Sequence, residues 1–595
     1  MSFDGLSTSI EKSVRMSSSE PLHSPIPLEA KRILMECLLG NKALDMPLEV
    51  ADRASEVTFT PQINSFMPTP MKMTESVSAL WACIGLFATT IVQKRYNNSE
   101  RMKIEIDAQA ATLMLSSLVL FEINGKGIAD KEFSARGAHL DKGHISETYR
   151  AMATNIYETA DKRWFQLHGS MDTTSILEML GLPQHQPVSS EPAIAHRDAM
   201  KDIYKAAIAQ WDSQALEIEV NERWRQPGVT CLTKEEYAAT KHGQMSIKEP
   251  LYNIRKIHDP LPPAPWSQNT NGKQQQPLSG IKVLDLTKVI AGPTITRVLA
   301  LMGADVLRIS SETTADATFA LFDGQLGKRD TNLDLKTRQG RACLQTLMQD
   351  ADVVVDGFRP GVLEKLGFGS TWAHEVARRR GRGMIYCREN CYGWTGEWSD
   401  RAGYQQISDC VSGASWEQGK FLGLNEPVVP LLPNSDYQTG LVGAVAIMQA
   451  LLQRASIGGS YDVQVSLTQF NNWYLHQVGL HDSVTRSSLL TLNPGFLPRH
   501  DMDIFELITK TVEQTKTLSE SDVGRLWDPA KFTTGPIRWA GPEGEMATYL
   551  DWRRIVTVKN VGDGIEFDDG NETDLVIFDF EHGSCLPGSD EPKWL

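Results

Sequence analysis

The aspartate at position 436 stands in Asn434-Ser435-Asp436-Tyr437-Gln438-Thr439-Gly440, directly before an apolar segment of helical period, Leu441–Arg454. A carboxylate there meets backbone amides and the positive end of a helix dipole, and both favour its anion. Two uses are open to it. It can simply cap the helix, as Asp often does, or it can serve as a supported nucleophile.

The elements that would position it lie upstream. Three short apolar runs, Lys282–Leu286, Ala304–Ile309 and Ala351–Phe358, alternate with helix-length segments carrying periodic Leu, Met and Ala. That rhythm is βαβ and predicts a parallel sheet covered by helices, an α/β fold. The turn after the first run, Val289-Ile290-Ala291-Gly292-Pro293, lacks the spaced glycines of a dinucleotide site.

Five pieces occur in order between Gly280 and Leu480. They are Asp285-Leu286-Thr287 with Ala291-Gly292-Pro293; Gly303–Ile309; Leu333-Asp334-Leu335-Lys336; Ala351–Val355 with Phe358-Arg359-Pro360-Gly361-Val362; and Ser435-Asp436 with Thr439-Gly440-Leu441. Together they resemble the family III CoA-transferases of the CaiB/BaiF type. The resemblance implies a Rossmann-like large domain with a smaller α+β domain. It also implies an enzyme that moves CoA from an acyl-CoA to a carboxylic acid, with coenzyme A as substrate and no permanently bound cofactor. Asp436 then matches the family nucleophile. The CoA contacts fall on Ile290 and Ala291, Arg308, Leu333 to Lys336 (with Asp334 and Leu335), Gly357, Phe358 and Arg359, and Lys365. Arg and Lys suit phosphate oxygens. Family subunits form interlocked dimers, so a homodimer or an intramolecular pseudo-dimer is expected.

Departures from the family pattern are visible. Ser310-Ser311-Glu312 stands where an acid commonly follows the second strand, and Ala402 replaces a basic residue, with Arg401 adjacent. An α-methylacyl-CoA racemase is the first alternative. Its histidine base lies in a motif that reads Ala402-Gly403-Tyr404 in this chain, and a neutral phenol replaces that base poorly. A non-catalytic relative is the second.

The order of parts is unusual. Thr159–His168, then Ile176–Pro183 and Trp224–Tyr237, resemble the family's small domain, yet precede the nucleotide-binding segment. Thr74–Asp107 looks like a weaker copy of Ser435–Leu467, with Glu75 at the place of Asp436 after a shift of 361 residues (75 + 361 = 436) and two extra residues before its strand. The expected organisation is a disordered tail (1–26), a degenerate copy (27–135), a small α+β domain (136–258), a Pro/Asn/Gln-rich linker (259–279), the CoA-binding domain (280–485) and a segment of unassigned role (486–595).

Composition sets outer bounds. The net charge of −15 argues against a nucleic-acid surface. The apolar stretches Ala79–Val92 and Ala111–Phe121 are too short to span a bilayer and read as buried helices. The eight cysteines are scattered without metal spacing, and no His-Glu-x-x-His occurs, so no metal is expected. Reduced thiols point to the cytoplasm, with peroxisome and mitochondrion left open.

Overall fold

The central strand of the large sheet, Lys282–Leu286, is buried from Val283 onward, with Val283, Leu284 and Leu286 in the core and Asp285 paired there with Lys328. The computed structural model describes residues 25–97, 101–186, 193–266, 276–538, 545–560, 576 and 578–595. The expected tail up to residue 24, the linker core 267–275 and most of the acidic stretch at 561–575 lie outside the described residues. The sheet comprises β1 (Asn253–Lys256), β2 (Lys282–Leu286), β3 (Asp305–Ser310), β4 (Arg329–Asn332), β5 (Val353–Asp356), β6 (Ile385–Asn390) and β7 (Tyr461–Ser466). Its order is β4-β3-β2-β5-β6-β7-β1, parallel except for β1. From β2 to β7 this is doubly wound, and the order reverses between β2 and β5. Ligands of such sheets bind at the carboxyl ends of the strands where the order reverses. The edge strand β1 comes from the N-terminal side of the linker, so that half helps to build the large sheet itself.

Three helices matter for the site: α1 (Met73–Tyr96), α2 (Ala291–Leu301) and α3 (Asn434–Ile457). Helix α3 crosses α2 closely. A Cβ on Gly440 would come within 2.4 Å of Thr294 Cβ, and one on Gly443 within 2.5 Å of Ile295 Cδ1. Glycine at these two places lets the backbones meet. Helix α1 is buried along almost its whole length and lies against α3. By length and composition both 24-residue helices could cross a membrane, but their apolar surface is spent on packing inside the protein.

Helix α1 is followed by a six-residue strand, Met102–Asp107, and a seven-residue helix, Ala108–Met114. Helix α3, also 24 residues, is followed by β7 of six residues and by Leu467–Trp473 of seven. Met102–Asp107 does not join the large sheet. It pairs in parallel with Val57–Thr60 and antiparallel with Val556–Asn560 from the C-terminal segment. That segment, to which the sequence assigned no role, thus completes the sheet beside α1. The small domain carries its own antiparallel sheet, Asn155–Glu158, Trp164–Leu167 and Gly228–Thr230.

A buried polar network ties these parts together behind α3. Tyr437 Oη donates to Asp323 at 3.3 Å, and Ser117 Oγ donates to the same carboxylate at 2.7 Å. Arg297 pairs with Asp323 at 2.8 Å and lies 3.5 Å from the ring centre of Trp552. Trp552 in turn meets Trp81 edge-on at 6.0 Å. One residue on from Asp436, the N-terminal half, the large domain and the C-terminal segment are all in contact.

Candidate active site

A cavity of about 340 Å³ opens at the carboxyl ends of β2, β5 and β6, where the strand order reverses. Its walls include Ile290 and Ala291 after β2, Gly357 to Arg359 after β5, and Glu389 at the end of β6. The small domain adds Thr154, His168 and Ser170, and the loop Arg401–Gln406 closes another side.

Asp436 reaches this cavity from the first turn of α3. It is half-buried while its neighbours Ser435 and Tyr437 are buried, because its side chain alone faces the opening. No hydrogen bond or ion pair engages its carboxylate among the described residues. Burial, then the carboxylates of Glu389 and Asp409, raise its pKa well above the usual range. The amino end of α3 acts the other way, since the helix dipole favours the anion.

Asp409 has a different position. It is buried behind the site and accepts from Ser435 Oγ at 2.8 Å, Asn471 Nδ2 at 2.9 Å and Gln405 Nε2 at 3.0 Å. Burial still lifts its pKa to about 6. These bonds fix the loop from which α3 starts. Glu389 shares the cavity with Asp436, and burial, then Asp356, push it up to about 7. Near neutrality it is a carboxyl able to donate a proton.

Several expected CoA contacts lie elsewhere. Arg308 is buried off this cavity and is held by Asp316 at 2.5 Å and Asp330 at 3.0 Å. A buried guanidinium needs such partners, and they leave it no free donor face for a phosphate. Leu333 packs in the core under the sheet with Leu335 against it, and Asp334 accepts the Lys336 amide to close a turn. Lys336 and Lys365 are exposed and do not line the cavity. Of the expected contacts, then, Ile290, Ala291, Gly357, Phe358 and Arg359 are gathered with Asp436, whereas Arg308, the Leu333–Lys336 turn and Lys365 are not.

The sequence reading missed Glu389 and His168 as cavity residues. Glu389 stands one residue before the end of the parallel strand β6, at the ligand-binding edge. His168 follows the small-domain strand Trp164–Leu167 and stacks on Tyr404 with ring centres 4.1 Å apart. Burial lowers its pKa to about 3, so the imidazole is neutral and a weak base. This pair does not supply the strong base that α-proton removal needs.

Glu75, the counterpart of Asp436, does not line the cavity. It is buried, accepts a hydrogen bond from the Ser65 hydroxyl, and lies 3.9 Å from His481. Burial raises it from 4.5 to about 7. The folded state therefore holds the proton more tightly than the unfolded chain. The resulting penalty on folding is absent below about pH 4.5, grows between the two pKa values, and is complete above about pH 7. Glu75→Gln is expected to stabilise the protein by roughly 2 to 3 kcal/mol at pH 8 and by little at pH 4.5, with turnover unchanged. Thermal melts at the two pH values, with assays alongside, check it.

Comparison with known proteins fits this geometry. The model for CoA-transferase family III matches residues 278–487. The chain is 37% identical over 494 residues to an acetyl-coenzyme A transferase of Hypoxylon pulicicidum, covering 81% of each protein. It is 34% identical over 457 residues to an acyl-CoA transferase of Gibberella moniliformis, covering 75% of this chain and 78% of the other. A formyl-CoA:oxalate CoA-transferase of Escherichia coli is 32% identical over 205 residues, or 32% of this chain and 47% of its own. A solved CaiB/BaiF family protein from Brucella suis aligns at 25% identity over 38% of this chain and 60% of its own, with a TM-score of 0.30. The chain belongs to the family III CoA-transferases. It is a CoA-transferase, and the family model spans six of the seven strands of the large sheet together with Asp436 and Glu389 of the cavity.

Proposed function

We propose that the protein transfers CoA from an acyl-CoA to a free carboxylic acid with Asp436 as nucleophile. One observation carries this reading: Asp436 is a half-buried carboxylate at the amino end of α3, facing the cavity without a hydrogen-bond or ionic partner among the described residues. A structural cap would be spent on backbone amides, whereas this carboxylate is unspent.

The Asp436 oxygen attacks the thioester carbonyl carbon, and the C–S bond breaks to release CoA thiolate and leave an acyl-aspartyl anhydride. The thiolate attacks the aspartyl carbonyl, expelling the donor acid as its carboxylate and leaving an aspartyl-CoA thioester. The acceptor carboxylate attacks that thioester, forming a second anhydride and freeing the thiolate. The thiolate then takes the acceptor acyl group and regenerates Asp436. Thioester energy is conserved where water is kept from the anhydride, and the small domain and the 401–406 segment wall two sides of the site.

Gly357 and Phe358 flank the route of the nucleotide and pantetheine, and Arg359 offers its guanidinium to phosphate. Glu389, near neutral, donates a hydrogen bond to the oxygen that gains charge in each tetrahedral intermediate.

Trapping tests the reading. Wild-type protein incubated with acetyl-CoA and then hydroxylamine should carry a hydroxamate on Asp436, found by peptide mass spectrometry. Deuterium should not enter the α-carbon of a 2-methylacyl-CoA in heavy water. Exchange of that hydrogen without labelling of Asp436 would favour a racemase instead.

A further inference from the structure

Two walls of the cavity come from outside the 278–487 segment. Leu118 and Ile145 enter from the N-terminal half, and Phe505 and Ile508 from the helix Ile504–Lys516. Phe505 meets Phe319 edge-on, with ring centres 4.6 Å apart. Ile508 is buried in the core, whereas Phe505 and Phe319 stay half-buried because they face the opening. Asp503, which starts this helix, is already committed. It accepts the amides of Phe505 and Glu506 and pairs with Arg197.

Three of the cations on the wall already have partners. Arg150 pairs with Asp172 at 3.0 Å, Arg401 with Glu217 at 2.9 Å, and Lys288 donates to Thr314 and to the Ala315 carbonyl. Arg359 bonds only the Arg225 carbonyl among the described residues, but it stands beside Phe358 on the face proposed for CoA. Among the described wall residues a second carboxylate on the acceptor would find Arg150 and Arg401 already ion-paired and Lys288 bonded to Thr314 and Ala315 with Asp316 4.0 Å away, and ionised Asp436 would repel it. An apolar body would meet Leu, Ile and Phe. The cavity, about 340 Å³ in all, is shared between this apolar side and the Gly357–Arg359 side proposed for CoA.

We propose that the acceptor is a monocarboxylic acid with a bulky apolar body, fatty or aryl-alkyl, lying against Leu118, Phe319, Phe505 and Ile508. The inference rests on the proposed function for the place of the acceptor carboxylate beside Asp436. Its walls are independent of that assignment.

Equilibrium binding of free acids to wild-type protein saturated with CoA reads this site without turnover, since no acyl donor is present. Decanoate and 3-phenylpropionate are expected to bind at least about thirtyfold more tightly than succinate or oxalate. Affinity should rise from acetate through hexanoate to decanoate by up to about fourfold per methylene buried. Phe505→Ala should weaken decanoate about tenfold and leave CoA affinity unchanged, and Phe505→Leu should restore most of the loss, which guards against a misfolded variant. Tighter binding of succinate, or a Phe505→Ala effect on CoA instead of decanoate, overturns the inference. If decanoate binds as expected and hydroxylamine labels no aspartate, the acid site stands and the nucleophile assignment falls. If Asp436 is labelled but succinate is preferred, the nucleophile stands and the apolar acceptor falls.

Discussion

Protein carrying Asp436→Ala is expected to lose CoA exchange by about four orders of magnitude or more while still folding and binding CoA. Asp436→Asn should do nearly the same, since an amide cannot form the anhydride. The side chain faces the cavity and holds up no neighbour, so the melting temperature should move little. The pH profile gives a second signature. The nucleophile must be ionised, and its pKa is raised by burial and by the Glu389 and Asp409 carboxylates. Activity in the wild type should therefore fall with decreasing pH through a limb above the ordinary carboxylate range. At and above about pH 7, where Glu389 is ionised, Glu389→Gln removes one like charge, lowers the Asp436 pKa, and should shift that limb to lower pH. An Asp436→Ala protein that exchanges CoA at the wild-type rate would end the assignment.

Residues 278–595 expressed alone are expected to be insoluble or inactive. Without the first half, α3 loses α1, β7 loses its edge partner β1, and the cavity loses Leu118, Thr154 and His168. Trp81, Phe87 and Leu80 on α1 are each 0–1% exposed, and burying such a side chain contributes about 1.5–3 kcal/mol. Losing a whole helix of such contacts exceeds the roughly 5–15 kcal/mol by which a domain is stable. The bared apolar faces and open strand edge favour aggregation. Co-expression with residues 1–277 should restore soluble protein and part of the turnover. A soluble, fully active 278–595 fragment would show the N-terminal half to be an appendage.

Much of the centre of the molecule is legible in the sequence. Short Val- and Leu-rich runs mark β2 and β5, because strands covered on both faces are mostly apolar, although β2 also carries the buried Asp285 that pairs with Lys328. Asp436 is legible because a carboxylate before a small-residue helix is a local pattern. The partners of Arg308 are not legible in this way. Asp316 and Asp330 follow it by 8 and 22 residues, and only the fold turns both onto one guanidinium. Glu389 is hidden for a related reason, since strand burial and cavity facing look alike in one dimension. Phe505 and Ile508 belong to an ordinary amphipathic helix, and nothing in its period says that its first turn ends at a cavity.

The packing of α1 on α3 within a single polypeptide has a consequence for how the enzyme responds to concentration. Where two separate chains supply such helices, association follows mass action, and dilution strips away the folded, active form. Here the tether holds the two helices at an effective concentration that no dilution of the sample alters. This contact is made once, during folding, and each ribosome that finishes the chain delivers both partners in equal number.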